Sequence, residues 1–113
     1  MKKEPKVFLG HICESIDHIE KYIASFSYIQ FIKNPQLQDA VVRRLEIIGE
    51  ATKNLPQEFR NKYPEIPWKF MAGTRDVMSH EYFGVDFMMI WNIIKKELPS
   101  LKIKILKLIE NLN

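Results

Sequence analysis

From Phe8, the apolar residues Ile12, Ile16, Ile19, Ile23 and Phe26 follow one another in steps of three and four. That spacing commits the first part of the chain to an α-helix with one buried stripe. The same rhythm returns at Leu37, Val41, Leu45, Ile48, Ala51 and Leu55, and again at Phe87, Ile90, Trp91, Ile94 and Leu98. Asn34-Pro35 separates the first two runs, because the residue before a proline is driven out of helical geometry while the proline itself suits a helix start. Leu55-Pro56 closes the second run. Three prolines, Pro56, Pro64 and Pro67, mark a loop with at most a short helix at Gln57 to Lys62. A third long helix is expected from Pro67, with Trp68 and Met71 inward, running towards Tyr82 and stopping at Gly84. Asp86 is placed to cap the next helix. Pro99 is expected to break or kink that helix, after which Leu101, Ile105, Leu108 and Leu112 resume helical spacing. Leu101 to Ile105 also alternates as a strand would, but no neighbouring segment offers a hairpin partner.

The expected fold is therefore all-α: an antiparallel bundle of four to five helices. With 113 residues, 46% of them hydrophobic and 27% charged, residues 1–113 read as a single domain. One run, Phe87-Met88-Met89-Ile90-Trp91, is apolar for five consecutive positions. This exceeds what one helix stripe buries in such a core, so part of it is expected to face a second subunit. The early apolar run, Val7 to Leu9, is too short for a signal-peptide core or a membrane span. No membrane association is expected, and the reading is cytoplasmic. The single cysteine, Cys13, has no partner within the chain for a disulfide or a thiolate pair. A net charge of +3 favours a polyanionic partner only mildly.

Chemistry concentrates in Arg75-Asp76-Val77-Met78-Ser79-His80-Glu81-Tyr82. Cutting RNA without a metal needs a base near neutral pKa for the ribose hydroxyl, a cation for the phosphate and an acid for the leaving oxygen. His80 suits the base or acid role and Arg75 the phosphate clamp, with Asp76 and Ser79 in support. Five residues of ideal helix set Arg75 and His80 about 140° apart around the axis, so they do not share a face. Either the helix unwinds near Ser79 or two protomers contribute to one groove, which would also supply a second His80. On spacing alone, caps and surface ion pairs account for this cluster better than catalysis does. His11, Glu14 and His18 share one side of the first helix, but the second Glu-x-x-His that a bundle metal site requires is missing, so no metal and no cofactor are assigned. Arg43, Arg44, Lys95, Lys96, Lys102, Lys104 and Lys107 could guide phosphates, although solvated surface is the default for each. Arg44 and Glu50 are weak candidates for a wall of the site.

The pattern Arg75-x(4)-His80-x-Tyr82 resembles the signature of HepT-like toxins of the HEPN superfamily. Arg44 to Ala51, Leu55-Pro56, Ile66-Pro67-Trp68, Gly73 to Asp76 and Leu98-Pro99 resemble that family's landmarks in order, over roughly Leu37 to Leu101. The resemblance implies a HEPN-like homodimer and an endoribonuclease of a type II toxin-antitoxin system. Arg75 and His80 would be catalytic, and Asp76 would stand where the family often has asparagine. It implies a cognate minimal nucleotidyltransferase antitoxin that transfers AMP to Tyr82, which would place bulk and phosphate charge where the RNA phosphate must bind. The competing implication is a non-catalytic HEPN module that binds nucleotide or RNA and supports its transferase.

Overall fold

The computed structural model describes residues 4–80 and 86–112, with side chains outside positions 75–80. Every regular element among the described residues is helical: α1 (Pro5–Ile23), α2 (Tyr28–Ile32), α3 (Pro35–Asn54), α4 (Gln57–Asn61), α5 (Trp68–His80), α6 (Phe87–Asn92), a π-helical turn (Ile93–Glu97) and α7 (Leu98–Asn111). Helix α3 packs against both α1 and α5, and α7 packs against α1. The expected Gly84 stop lies outside the described residues.

Each helix is positioned by its own sequence. Pro5 and Pro35 occupy first turns, where the missing N–H costs nothing. A helix was expected to start at the Asn-Pro boundary, and there the Asn34 Oδ1 accepts from the Leu37 N–H at 3.0 Å, a cap the sequence reading did not name. Asp86 caps α6 as expected, accepting from the N–H groups of Met88 at 3.0 Å and Met89 at 3.3 Å. The predicted stripes turn inward: Ile12, Ile16 and Ile19 of α1, Val41, Leu45 and Ile48 of α3, Trp68 and Met71 of α5, and Ile90 and Ile94 are all buried in one continuous core. Lys102 of α7 pins that helix to α1, with its Nζ 2.5 Å from Asp17 Oδ1 and 3.6 Å from Glu20 Oε1.

One feature adds to the expected pattern, and one decides between the break and the kink expected at Pro99 by excluding the break. Between α1 and α3 the chain forms α2, opened by a capping box in which Ser27 Oγ accepts from the Gln30 N–H at 3.2 Å and Gln30 Oε1 from the Ser27 N–H at 2.8 Å. This short helix inserts Phe31 into the core, where its ring centroid lies 5.2 Å from Trp91 and 5.9 Å from Phe87. At Pro99 the chain does not break: the helix continues through a wider turn and the Leu98 N–H donates to the Ile93 carbonyl five residues back. A proline ring crowds the carbonyl four residues earlier in an α-helix; the extra residue in the turn relieves that crowding and keeps the rod intact. It also buries Ile93 and Ile94 together.

Of the apolar run at 87–91, Ile90 is fully buried and Phe87 and Trp91 pack partly against the core, but Met88 and Met89 are 56% and 41% exposed.

Candidate functional site

Helix α5 carries the candidate cluster, and its N-terminal half is well anchored. The Trp68 indole N–H donates to the Tyr63 carbonyl at 2.9 Å, and the Trp68 ring lies 6.4 Å from Phe59, so the helix start is fixed to the loop that precedes it. Met71 is fully buried. Thr74 is 5% exposed, and its Oγ1 lies 2.7 Å from the Met71 carbonyl and 3.2 Å from the Leu45 carbonyl of α3. The single hydroxyl proton is thus shared between a carbonyl of its own helix and one of α3, immediately before Arg75. Sequence reasoning had Thr74 only within the landmark Gly73 to Asp76 and gave it no role; its signal was a hydroxyl three residues after the inward Met71, a position that must face the neighbouring helix.

The backbone is helical through His80, so Arg75, Asp76, Ser79 and His80 occupy the last two turns of α5. Their side chains, and Tyr82 altogether, lie outside the described residues. Register alone fixes which lines of the helix they occupy. Arg75 is seven residues beyond the buried Trp68 and within about 20° of its line, whereas His80 is eleven residues beyond the exposed Lys69 and within about 20° of that one. The helix does not unwind near Ser79. Among the two ways of uniting Arg75 with His80, the local one is therefore not taken by the backbone.

The other candidates are dispersed. On α3, Arg43 Nη1 lies 4.0 Å from Glu46 Oε2 on the exposed side, while Arg44, partly buried, adjoins the Leu45 carbonyl that receives Thr74. Glu50 is exposed one and a half turns further on. Lys95 sits over the Trp91 ring at 5.5 Å, and Lys102 is committed to Asp17 and Glu20, which hold it protonated to a higher pH than an ordinary lysine. That removes Lys102 from the expected set of phosphate guides; Lys96, Lys104 and Lys107 are exposed. On α1, His18 Nε2 lies 3.8 Å from Glu14 Oε1, while His11 packs edge-on against Phe8 with centroids 6.4 Å apart. No three metal-ligating side chains converge among the described residues. Cys13 is buried, and burial pushes its thiol pKa up to about 11, with Asp17 adding to the effect and Lys102 opposing it. No helix among the described residues is long and apolar enough to cross a membrane.

Comparison with known proteins gives this geometry a context. The family described as Ribonuclease HepT-like matches residues 12–108, a span that includes all of α5. A Methanocaldococcus jannaschii protein named as a gamma-glutamylcyclotransferase and candidate RNase is 51% identical over 113 residues, which is all of this chain but only 51% of that protein. A Thermococcus cleftensis protein named Probable ribonuclease HepT is 45% identical over 108 residues, 96% of this chain and 98% of the relative. A Caldanaerobacter subterraneus protein named as a candidate RNase is 44% identical over 108 residues, 96% of each chain. No solved structure matches.

Proposed function

The chain belongs to the HepT-like ribonuclease family, and from that premise we propose that it is a cytoplasmic endoribonuclease, a single domain acting as a homodimer and serving as the toxin of a toxin-antitoxin pair. The observation that carries this reading is the family match across the whole of α5, on whose last turns Arg75 and His80 stand.

In the proposed reaction, a neutral His80 takes the proton of a ribose 2′-hydroxyl, whose oxygen attacks the adjacent phosphorus. The bond from phosphorus to the 5′ oxygen breaks, and a protonated His80 from the second protomer supplies the proton for that leaving oxygen. A 2′,3′-cyclic phosphate and a 5′-hydroxyl result, with no metal required. Arg75 holds the non-bridging oxygens as negative charge builds. Asp76 and Ser79 orient these groups. The two-fold arrangement is supported by register: one α5 sets Arg75 and His80 on different lines, and a second copy supplies the missing partner for each. The exposed Met88 and Met89 give such a dimer an apolar surface to cover.

Neutralisation follows from Tyr82, two positions after His80. A nucleotidyltransferase antitoxin would move AMP from ATP to the tyrosine oxygen, releasing pyrophosphate and leaving a phosphodiester whose charge repels the RNA phosphate.

Expression of the wild type and of His80→Ala, each without a partner, tests the reading in a bacterial host. Growth arrest with fragmented RNA is expected for the wild type alone. Equal growth from equal amounts of soluble protein whose Tyr82 is shown by mass spectrometry to be unmodified would refute the nuclease assignment.

A further inference from the structure

Phe70 is 39% exposed, and every other described phenylalanine, tyrosine or tryptophan is at least partly withdrawn from solvent. It lines a recess of about 100 Å³ with Pro67, Glu97, Ser100, Leu101 and Lys104, where the first turn of α5 meets α7. That volume falls below the roughly 300 Å³ at which small-molecule pockets begin, so the recess suits one edge of a longer ligand and not a whole small molecule.

Two lysines belong to the same stretch of surface. Lys69 precedes it on the exposed side of α5, and Lys104 lies in the recess itself. Among the described residues neither forms an ion pair, in contrast to Lys102 two residues before Lys104. An exposed aromatic ring near lysines that form no ion pair among the described residues is the kind of surface on which single-stranded nucleic acid stacks a base while its phosphates are held nearby. Glu97 and Ser100 at the rim provide acceptors for a base amino group. One turn further along α5 the surface is open at Gly73, where an added Cβ would meet nothing within 4 Å. Position 80 lies ten residues beyond Phe70, about 15 Å along the helix axis.

We propose that Phe70, with Lys69 and Lys104, forms a substrate subsite that stacks one base of a single-stranded RNA a few nucleotides from the bond cut at His80. The subsite rests on the nuclease reading for its purpose but not for its test.

The test measures binding of a fluorescein-labelled, single-stranded 2′-O-methyl RNA, which lacks the attacking hydroxyl and cannot be cut, to the wild type and its variants across a salt series. Phe70→Leu, which keeps apolar bulk and loses the aromatic face, is expected to weaken binding roughly five- to a hundredfold, and Phe70→Trp to preserve it. Lys69→Gln and Lys104→Gln should each lower the slope of log affinity against log salt by about 0.7. With unmodified RNA, Phe70→Leu should raise KM and leave kcat in place. Affinity within twofold of wild type for Phe70→Leu overturns the subsite. So does a change in oligomer mass in that variant with probe affinity intact, which would make the face a protein interface. A protein that binds the probe through Phe70 yet cuts no RNA would refute the nuclease reading and keep the subsite.

Discussion

Thr74 offers the sharpest separation of what holds α5 from what α5 does. Thr74→Val keeps the shape of a buried side chain and deletes the hydroxyl that lies 2.7 Å from the Met71 carbonyl and 3.2 Å from the Leu45 carbonyl. Both carbonyls lie inside helices, so neither is orphaned when the proton goes. The cost is then the net value of one hydrogen bond, about 1 kcal/mol. For a chain of this length that is a fall in Tm of about 4 °C, read by far-UV circular dichroism at one fixed protein concentration so that any association equilibrium is held constant. Thr74→Ala, which also removes a buried methyl, should cost about 2 kcal/mol. Thr74→Ser should stay within about 1 kcal/mol of the wild type, since it loses only the methyl. RNA cleavage should respond differently from stability. Because the lost bond fixes α5 against α3 one residue before Arg75, Thr74→Val should lose cleavage severalfold at temperatures where it is fully folded, and Thr74→Ser should retain it. If Ser were as impaired as Val in cleavage, or if Val both melted and cut like the wild type, the hydroxyl tie would not be what positions the cluster.

Gly73→Ala should raise stability by about 1 kcal/mol in chemical denaturation, because the glycine sits within a helix and the added methyl enters open space. Asn34→Ala should lower it by about 1 kcal/mol through loss of the cap on α3. Cys13, with its pKa pushed from 9.0 to about 11, should react with iodoacetamide at pH 8 about a hundredfold more slowly than in urea-unfolded protein. The same shift predicts that stability falls between about pH 9 and 11, since the unfolded thiol ionises first, and Lys102, whose raised pKa stabilises only the protonated form, loses its contribution in the same alkaline direction. Exchange of wild-type protomers with His80→Ala protomers should leave activity proportional to the square of the wild-type fraction, about a quarter at equal mixing, because one groove needs both histidines. A linear decline would show that each protomer cuts alone.

The long helices were legible because their burial is periodic. Ile12, Ile16 and Ile19, or Val41, Leu45 and Ile48, announce a face without reference to anything else in the chain. Boundaries set by local chemistry were equally readable, as at Asn34 and Asp86, whose side chains cap the helices that follow them. What escaped depends on tertiary context. The Ser27 to Gln30 capping box was present in the sequence, but a helix of five residues gains its stability from Phe31 reaching Trp91 and Phe87, a contact some sixty residues away in the chain. Pro99 reads locally as a break; only the burial of Ile93 and Ile94 on the same rod makes the wider turn preferable to a loop. At the candidate site, Arg75 and His80 were proposed by residue type, whereas Thr74 and Phe70 were not, since a threonine and a phenylalanine become informative only once one is found buried against α3 and the other left exposed beside α7.

Helical continuity to His80 carries a consequence for how such a site can evolve. An unwound turn could have brought Arg75 and His80 together within one protomer, at the cost of backbone hydrogen bonds near the end of the helix that carries the site. Keeping the helix regular preserves those bonds and separates the two residues by about 140°, and the dimeric reading proposes that their catalytic pairing is made between copies. Under the dimeric reading, folding and activity then place different demands on α5: its buried line, from Trp68 through Met71 and Thr74, secures the protomer, and its last turns are completed by association. The uncovered Met88 and Met89 belong to the next helix in the chain, on the far side of the same connection, and in this reading their burial against a second copy assembles the site.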